Sequence, residues 1–450
     1  MSGVNAAAIA GLLFRKAERR REQESAAGLR DARQGLSSHR MYYGHIIDPL
    51  KKTVVDEVFL VLMQAPRSYT REDVVEIHSH AGPAVLRRIL ELVLRHGARL
   101  ADPGEFTRRA FLNGRLDLSQ AEAVIDIINA RTESALETAS RQLQGAIGQA
   151  VENIRQSLLE IIARIEAETE FGDETGQLVE PKVLAVKIGQ EVIRPLKQMI
   201  QDYEDGHLVR DGLRVVVVGR PNVGKSSLMN RMLKKERAIV TALPGTTRDS
   251  IEESLSIQGI PVVIADTAGL HSTVEPVEVL GIKKTHEYID SADLILFLIA
   301  ADEGFKPEDE EIFRQIEKRH VILVINKIDL LGQGRQARLP EFLRGCVQTE
   351  ISAKYDRGIE TLKETIVQFV LKDRAVKIPS RLIPNLRHKL AFEGCLTEIE
   401  AATRELEEGL TLEMVAERLK NAFQKLGDVI GQNADDTVLE RIFSQFCIGK

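Results

Sequence analysis

The chain has 450 residues, with 61 Lys and Arg against 67 Asp and Glu, a formal net charge of −6. That length suggests about three domains, and the mildly acidic balance excludes a protein that coats nucleic acid through bulk charge. Three cysteines without a C-x-x-C pair exclude a disulfide framework and a cysteine zinc site, and no apolar run approaches the ~18 residues of a membrane helix.

Taken in chain order, the apolar run 6–14 has no basic residue before it, unlike a secretory signal, so a cytoplasmic chain without membrane association is expected. Residues 15–40 read as a helix or loop. Residues 53–63 (TVVDEVFLVLM) read as strand and 83–96 as an amphipathic helix opened by proline. Together they predict an α+β domain over 1–117. From 118 the period turns helical. Leu143, Ile147, Val151, Ile154, Leu158, Ile161 and Ile165 predict one stripe on a long helix. Val183, Ile188, Val192, Leu196 and Ile200 predict a second, over 181–204. Short apolar runs at 214–218, 261–265, 294–300 and 321–325, separated by helical stretches, predict an α/β block with a mainly parallel sheet over 211–372. Residues 373–450 are helical again, with Leu406, Leu410, Leu419 and Leu426 among the apolar positions. The fold class is therefore multidomain: an α+β N-terminal domain, a discontinuous all-α domain (118–210 and 373–450), and an α/β P-loop domain inserted into it. Two separate helical domains are the alternative.

Strand 214–218 leads into GRPNVGKSS, 219–227, which matches G-x-x-x-x-G-K-[ST]. Gly219 and Gly224 let the backbone aim the N–H groups of Asn222, Val223, Gly224, Lys225, Ser226 and Ser227 at phosphate oxygens. Lys225 adds a charge to the β and γ phosphates, and Ser226 a hydroxyl for Mg²⁺. Asp266, Thr267, Ala268 and Gly269 form D-x-x-G after a strand, with Asp266 at its carboxyl end, where it can hold Mg²⁺ through water. Asn326, Lys327 and Asp329 belong to NKID. Asp329 offers two coplanar acceptors to the paired N1–H and N2–H₂ donors of guanine, which adenine lacks. Asn326 would bond the other edge of the base, and the Lys327 stem would cover its face. Ser352, Ala353 and Lys354 follow a fourth strand, and the Ala353 N–H would meet guanine O6. This order specifies a GTP site. Hydrolysis needs another device, because Leu270 occupies the position of the water-orienting glutamine of Ras-like domains. The loop Thr241, Ala242, Leu243, Pro244, Gly245, Thr246, Thr247, Arg248 offers Thr247 as a second Mg²⁺ hydroxyl and, with Asn222, carbonyls for a monovalent cation. Arg248 is either an arginine finger or a partner of Asp249 or of a switch carboxylate.

GRPNVGKSS, PGTTRD and DTAGL together resemble the TrmE–Era–EngA branch of GTPases. SYTREDVVEIHSHAGP (68–83), GEFTRRAFLNGRLDLSQAEAV (104–124) and RIFSQFCIGK (441–450) resemble the tRNA modification GTPases of the MnmE (TrmE) family. The resemblance covers residues 42–450. It implies GTP hydrolysis coupled, with the flavoprotein MnmG (GidA), to installing an aminomethyl-type group at C5 of the wobble uridine of certain tRNAs. It also implies a homodimer that joins MnmG in a heterotetramer, and K⁺ in place of an arginine finger when two G domains meet. K⁺ would be held by Asn222, Thr241, Leu243 and Thr246, and Mg²⁺ by Ser226 and Thr247. Glu278 would help orient water. A 5-formyltetrahydrofolate-type folate would be contacted by Glu76, Arg115 and Lys450. Cys447 matches a cysteine associated with tRNA modification, with a small buried apolar residue as the alternative. Residues 1–40 lack the glycine-rich start of the family, and His271 replaces a frequent arginine. The pair His78 and His80 reads as a strand-end or pocket feature rather than a metal site. The basic stretch 372–389 is either a tRNA surface or a solvated linker. Competing readings are a ribosome-assembly GTPase of the Era or EngA kind, and a GTP-switched interaction protein.

Overall fold

The computed structural model describes residues 1–17, 36–175, 180–236, 252–266, 288–331, 339–371 and 382–449. These form two compact units, one of residues 1–125 with 426–450 and the other of 126–425.

In the first unit, α1 (Ala6–Leu13) leads into a four-stranded antiparallel sheet of β1 (Phe14–Lys16), β2 (Arg40–Asp48), β3 (Thr53–Met63) and β4 (Val74–His78) in that spatial order. The strand at 53–63 stands as expected. Its neighbour β2 (RMYYGHIID) escapes an apolar-run search because polar residues interrupt it. Alternation puts Tyr42, Ile46, Val58, Leu60 and Leu62 on the buried face against α1 and α2 (Pro83–Arg95). The proline opens α2 at its first turn, where its missing N–H costs nothing. The expected helix or loop at 15–40 is strand at 15–16, the end of β1, and at 40, the start of β2; residues 18–35 lie outside the described residues. Beyond the sheet, α3 (Glu105–Leu112), α4 (Leu118–Asn129) and α14 (Asp436–Phe443) share a core of Leu118, Ala121, Leu439, Ile442, Phe443 and Phe446.

In the second unit the expected long helix is two. α5 (Glu133–Leu143) ends in a turn at Gly145, and α6 (Ala146–Thr175) follows. Ile147, Val151, Ile154, Leu158, Ile161 and Ile165 are buried as one stripe, whereas Leu143 belongs to the preceding helix and is half-buried. α7 (Pro181–Ile188) and α8 (Arg194–Asp211) are joined by a π-helical turn, Gly189–Ile193. The buried residues there include Leu184, Ile188, Val192, Leu196 and Met199, while Val183 is 55% exposed and Ile200 half-buried. Steps of four drift around a regular 3.6-residue helix, and the wider π turn takes up that drift. α7 and α8 pack against α12 (Leu386–Glu407) on the far side of the α/β segment in sequence. Lys389 bonds Glu204 at 2.8 Å, and Lys197 bonds Glu400 at 2.8 Å. Ile383 lies so close to Gly206 that an added Cβ would meet it at 2.7 Å. The helices on either side of the α/β segment thus form one body. α13 (Leu412–Ile430) adds Arg155 of α6 stacked on the Phe423 ring at 4.0 Å. Leu410 falls in the turn before α13 and is 43% exposed, unlike Leu406, Leu419 and Leu426.

Gly212 alone joins α8 to the second sheet, with φ +78 and Pro261 against it. That sheet has the order β10 (Val347–Glu350), β9 (Val321–Asn326), β8 (Leu294–Ala300), β5 (Leu213–Val218), β7 (Ile260–Asp266), β6 (Glu252–Ile257). All pairs are parallel except β6–β7. β8 and β9 are buried at every residue, as strands covered on both faces must be. α9 (Lys225–Glu236), α10 (Pro307–Ile316) and α11 (Ile359–Leu371) complete this α/β part. No helix among the described residues is long and apolar enough to cross a membrane.

Glu105 opens α3 and binds Arg99, the Asp102 N–H at 2.9 Å and Arg109. The Arg99 bond, followed by the Asp102 N–H and Arg109, holds its carboxyl at about 2, against an ordinary 4.5. A carboxylate depressed on folding adds stability above its unfolded pKa and loses it as pH falls toward the folded one. Urea midpoints should therefore drop between about pH 5 and about pH 2 more steeply in the parent than in Glu105→Gln. Equal slopes would refute this role.

Candidate nucleotide site

The parallel register brings the motif loops to one edge. Val217 pairs with Asp266, Val218 with Phe297, Ala300 with Asn326 and Ile325 with Glu350. The carboxyl ends of β5, β7, β8, β9 and β10 are thereby aligned, the usual ligand edge of an open α/β sheet. The P-loop leaves β5 and turns into α9 at Lys225, so the first N–H groups of α9 point out of that edge.

Within the P-loop, Asn222 is exposed in left-handed backbone at φ +65. Val223 is buried and its carbonyl accepts from Asn326 Nδ2 at 2.8 Å. Gly224, at φ +102, lies where a Cβ would meet that Nδ2 at 2.2 Å, so no side chain fits. Lys225 is 7% exposed, and its Nζ donates to Gly219 O at 2.6 Å and Arg220 O at 2.8 Å. Ser226 and Ser227 stand exposed in the first turn of α9.

Asn326, 2% exposed, also accepts the Ala353 N–H on Oδ1 at 3.1 Å. Both ends of its amide thus serve the protein, and it ties the P-loop to the 351–354 loop. The base-edge role expected of Asn326, and the O6 contact expected of the Ala353 N–H, fall on groups that here bond each other. Lys327 has φ +64, and its Nζ lies 4.0 Å from both Asp302 and Glu303. Asp329 is half-buried, and its Oδ1 accepts Ser352 Oγ at 2.6 Å. Ser352 is fully buried, so that oxygen is oriented from below. Lys354 Nζ sits 5.1 Å above the Tyr355 ring. Arg231 of α9 donates to the Ala353 and Lys354 carbonyls at 3.1 and 2.8 Å, and so holds this loop against the helix that starts at the P-loop. No motif flags Arg231; its spacing from the P-loop reads only as an exposed helix position.

Thr241, Ala242, Leu243, Pro244, Gly245, Thr246, Thr247, Arg248, Thr267, Ala268, Gly269, Leu270, His271, Glu278 and Lys450 lie outside the described residues, and Asp266 is described in its backbone only. In the first unit, Glu76 of β4 faces His78 at 3.4 Å, and His80 pairs with Asp56 at 2.9 Å. Arg115 stacks on Tyr69 at 4.6 Å and donates to its carbonyl at 2.8 Å. Glu76 and Arg115 therefore engage different partners. Cys447 is half-buried and in no disulfide. In the basic stretch, Lys389 bonds Glu204 at 2.8 Å and Glu393 at 3.5 Å; residues 372–381 lie outside the described residues.

Two sequence families match this chain: the MnmE helical domain over residues 118–447 and the GTP-binding protein TrmE N-terminus over 1–115. The tRNA modification GTPase MnmE of Carboxydothermus hydrogenoformans is 44% identical over 92% of this chain and 90% of its own length. That of Geobacillus kaustophilus is 38% identical over 100% of this chain and 95% of its own. Among solved structures, Era from Aquifex aeolicus bound to GDP.AlF4- is 30% identical over 41% of this chain and 66% of that one, at a TM-score of 0.29. With both family matches and this identity across nearly the whole sequence, the chain belongs to the MnmE (TrmE) family of tRNA modification GTPases.

Proposed function

We propose that this chain hydrolyses GTP and couples the cycle to modification of tRNA, adding a C5 aminomethyl-type group to the wobble uridine together with the flavoprotein MnmG (GidA). The observation that carries the GTP part of this reading is the joined site, a phosphate loop tied by Asn326 to the loop of Ala353, whose Ser352 holds Asp329; the tRNA part is supported by the similarity to tRNA modification GTPases. Ser352 takes one lone pair of Asp329 Oδ1, and each carboxylate oxygen keeps an acceptor site for the paired guanine donors. The Lys225 ammonium exchanges its two P-loop carbonyls for β and γ phosphate oxygens. The first turn of α9 adds its N–H groups.

The donor set suits Mg²⁺, because the Ser226 hydroxyl starts α9 and Asp266 ends the strand paired with β5. Ser226 and Thr247 would hold the ion, which when bound neutralises charge on the phosphates. Asn222 is exposed at the P-loop, where its amide oxygen suits K⁺ alongside Thr241, Leu243 and Thr246. Glu278 orients water, with Arg248 as a further catalytic candidate. In the first unit, Glu76, Arg115 and Lys450 would contact a 5-formyltetrahydrofolate-type folate. Cys447 is kept as a tRNA-modification residue.

The working division is 1–117 for folate and dimerisation, 118–210 with 373–450 as the helical domain, and 211–372 as the G domain. The assembly is a cytoplasmic homodimer that joins MnmG in a heterotetramer.

Mass spectrometry of tRNA nucleosides, with and without the protein, should show the modified wobble uridine falling away in its absence. Unchanged nucleosides would leave a GTPase without this role. GTP turnover should rise about tenfold or more in K⁺ relative to Na⁺, and Asn222→Ala should remove the difference. Equal rates in the two salts would rule out the cation at this position.

A further inference from the structure

Arg220 is a variable position of the P-loop pattern, and the motif gives it no task. Its side chain is 11% exposed. Nε donates to Asp309 Oδ1 at 2.8 Å, and Nη1 to Glu303 Oε2 at 3.2 Å. Asp309 is wholly buried in the first turn of α10, and its Oδ2 accepts the Lys306 N–H at 3.0 Å. Glu303 also holds the Lys306 ammonium at 2.5 Å and lies 4.0 Å from the Lys327 ammonium. One guanidinium thus connects two parts of the site. Its own carbonyl and that of Gly219 hold Lys225, and the carboxylate it binds draws Lys327. Nη2 is buried without a hydrogen-bond partner among the described residues. A buried ion pair with an orphaned donor is a poor way to gain stability, because apolar residues of the same size do as well. It is a good way to fix geometry.

We infer that Arg220 is a positioning residue for the guanine nucleotide: with Asp309 and Glu303 it sets the phosphate-side Lys225 and the base-side Lys327 as one body. The inference rests on the reading of this edge as a GTP site. It predicts that breaking the network weakens nucleotide binding even where the fold is intact, and that the loss falls on KM for GTP more than on kcat.

The test is titration of the full chain with fluorescent GDP, with thermal melting in parallel. Arg220→Met combined with Asp309→Asn removes both buried charges and keeps an acceptor for the Lys306 N–H. It should melt close to the parent yet bind GDP about tenfold more weakly or worse. Glu303→Gln, at a position 34% exposed, leaves the Arg220–Asp309 bond in place. It should weaken GDP by roughly threefold or more at unchanged melting. If the pair variant binds GDP like the parent, Arg220 only stabilises the fold and the inference fails. If the pair variant does not fold, Glu303→Gln decides, and parental affinity there overturns the inference. A parent chain that binds no guanine nucleotide would instead overturn the GTP reading itself.

Discussion

The nucleotide edge depends on one buried amide. Asn326 ends β9 and bonds the Val223 carbonyl with one end and the Ala353 N–H with the other. An amide can do this because it carries a donor and an acceptor a fixed distance apart. Losing it would strand two backbone groups in a site with little room for water, and unpaired buried groups cost about 1–3 kcal/mol each. The same amide explains why position 224 admits no side chain: a Cβ there would sit on Nδ2. Phosphate loop and base loop are thus held by a shared contact and cannot be adjusted separately. Arg231 repeats the logic from outside, clamping the 353–354 carbonyls to α9.

The rest of the second unit supplies a rigid support. β8 and β9 are buried along their whole length, so the strand that ends in Asn326 and its inner neighbour have no solvent face. Helices that precede and follow the α/β segment close on each other through Lys389–Glu204, Lys197–Glu400 and the fit of Ile383 at Gly206. Both ends of the α/β segment therefore meet the same helical body.

Much of this was legible in the residues. The strands at 214–218, 261–265, 294–300 and 321–325 announce themselves by short apolar runs, and that at 53–63 by apolar residues on either side of Asp56 and Glu57, while the loops show in their glycines and polar triplets. Other elements were not legible. β6 (EESLSI) is an edge strand with charge on it, and it carries no run to detect. The division of the expected long helix at Gly145 is invisible to a stripe that happens to continue across it. Val183 stands five residues before Ile188 in the regular α7, a step of roughly 140° that carries it off the buried stripe, which Leu184 occupies instead. At the site, the motif letters identify Asn326 but not its task, since an amide that reads a base and an amide that ties two loops look alike in sequence. Arg220 and Arg231 act through partners 89 and about 122 residues away, a separation that no local pattern encodes.

The π turn at Gly189–Ile193 and the single residue Gly212 bear on how this chain tolerates change. α8 passes into β5 through Gly212 alone, so helix phase and sheet orientation are inherited together. One residue added to α8 would turn the start of the sheet by roughly 100° about the helix axis. The wide turn upstream has the form of an extra residue already absorbed, with the phase restored before the sheet begins. Length variation in this family is therefore expected to collect before residue 194, where a helix can swell locally, and to be purged between there and the first strand of the sheet.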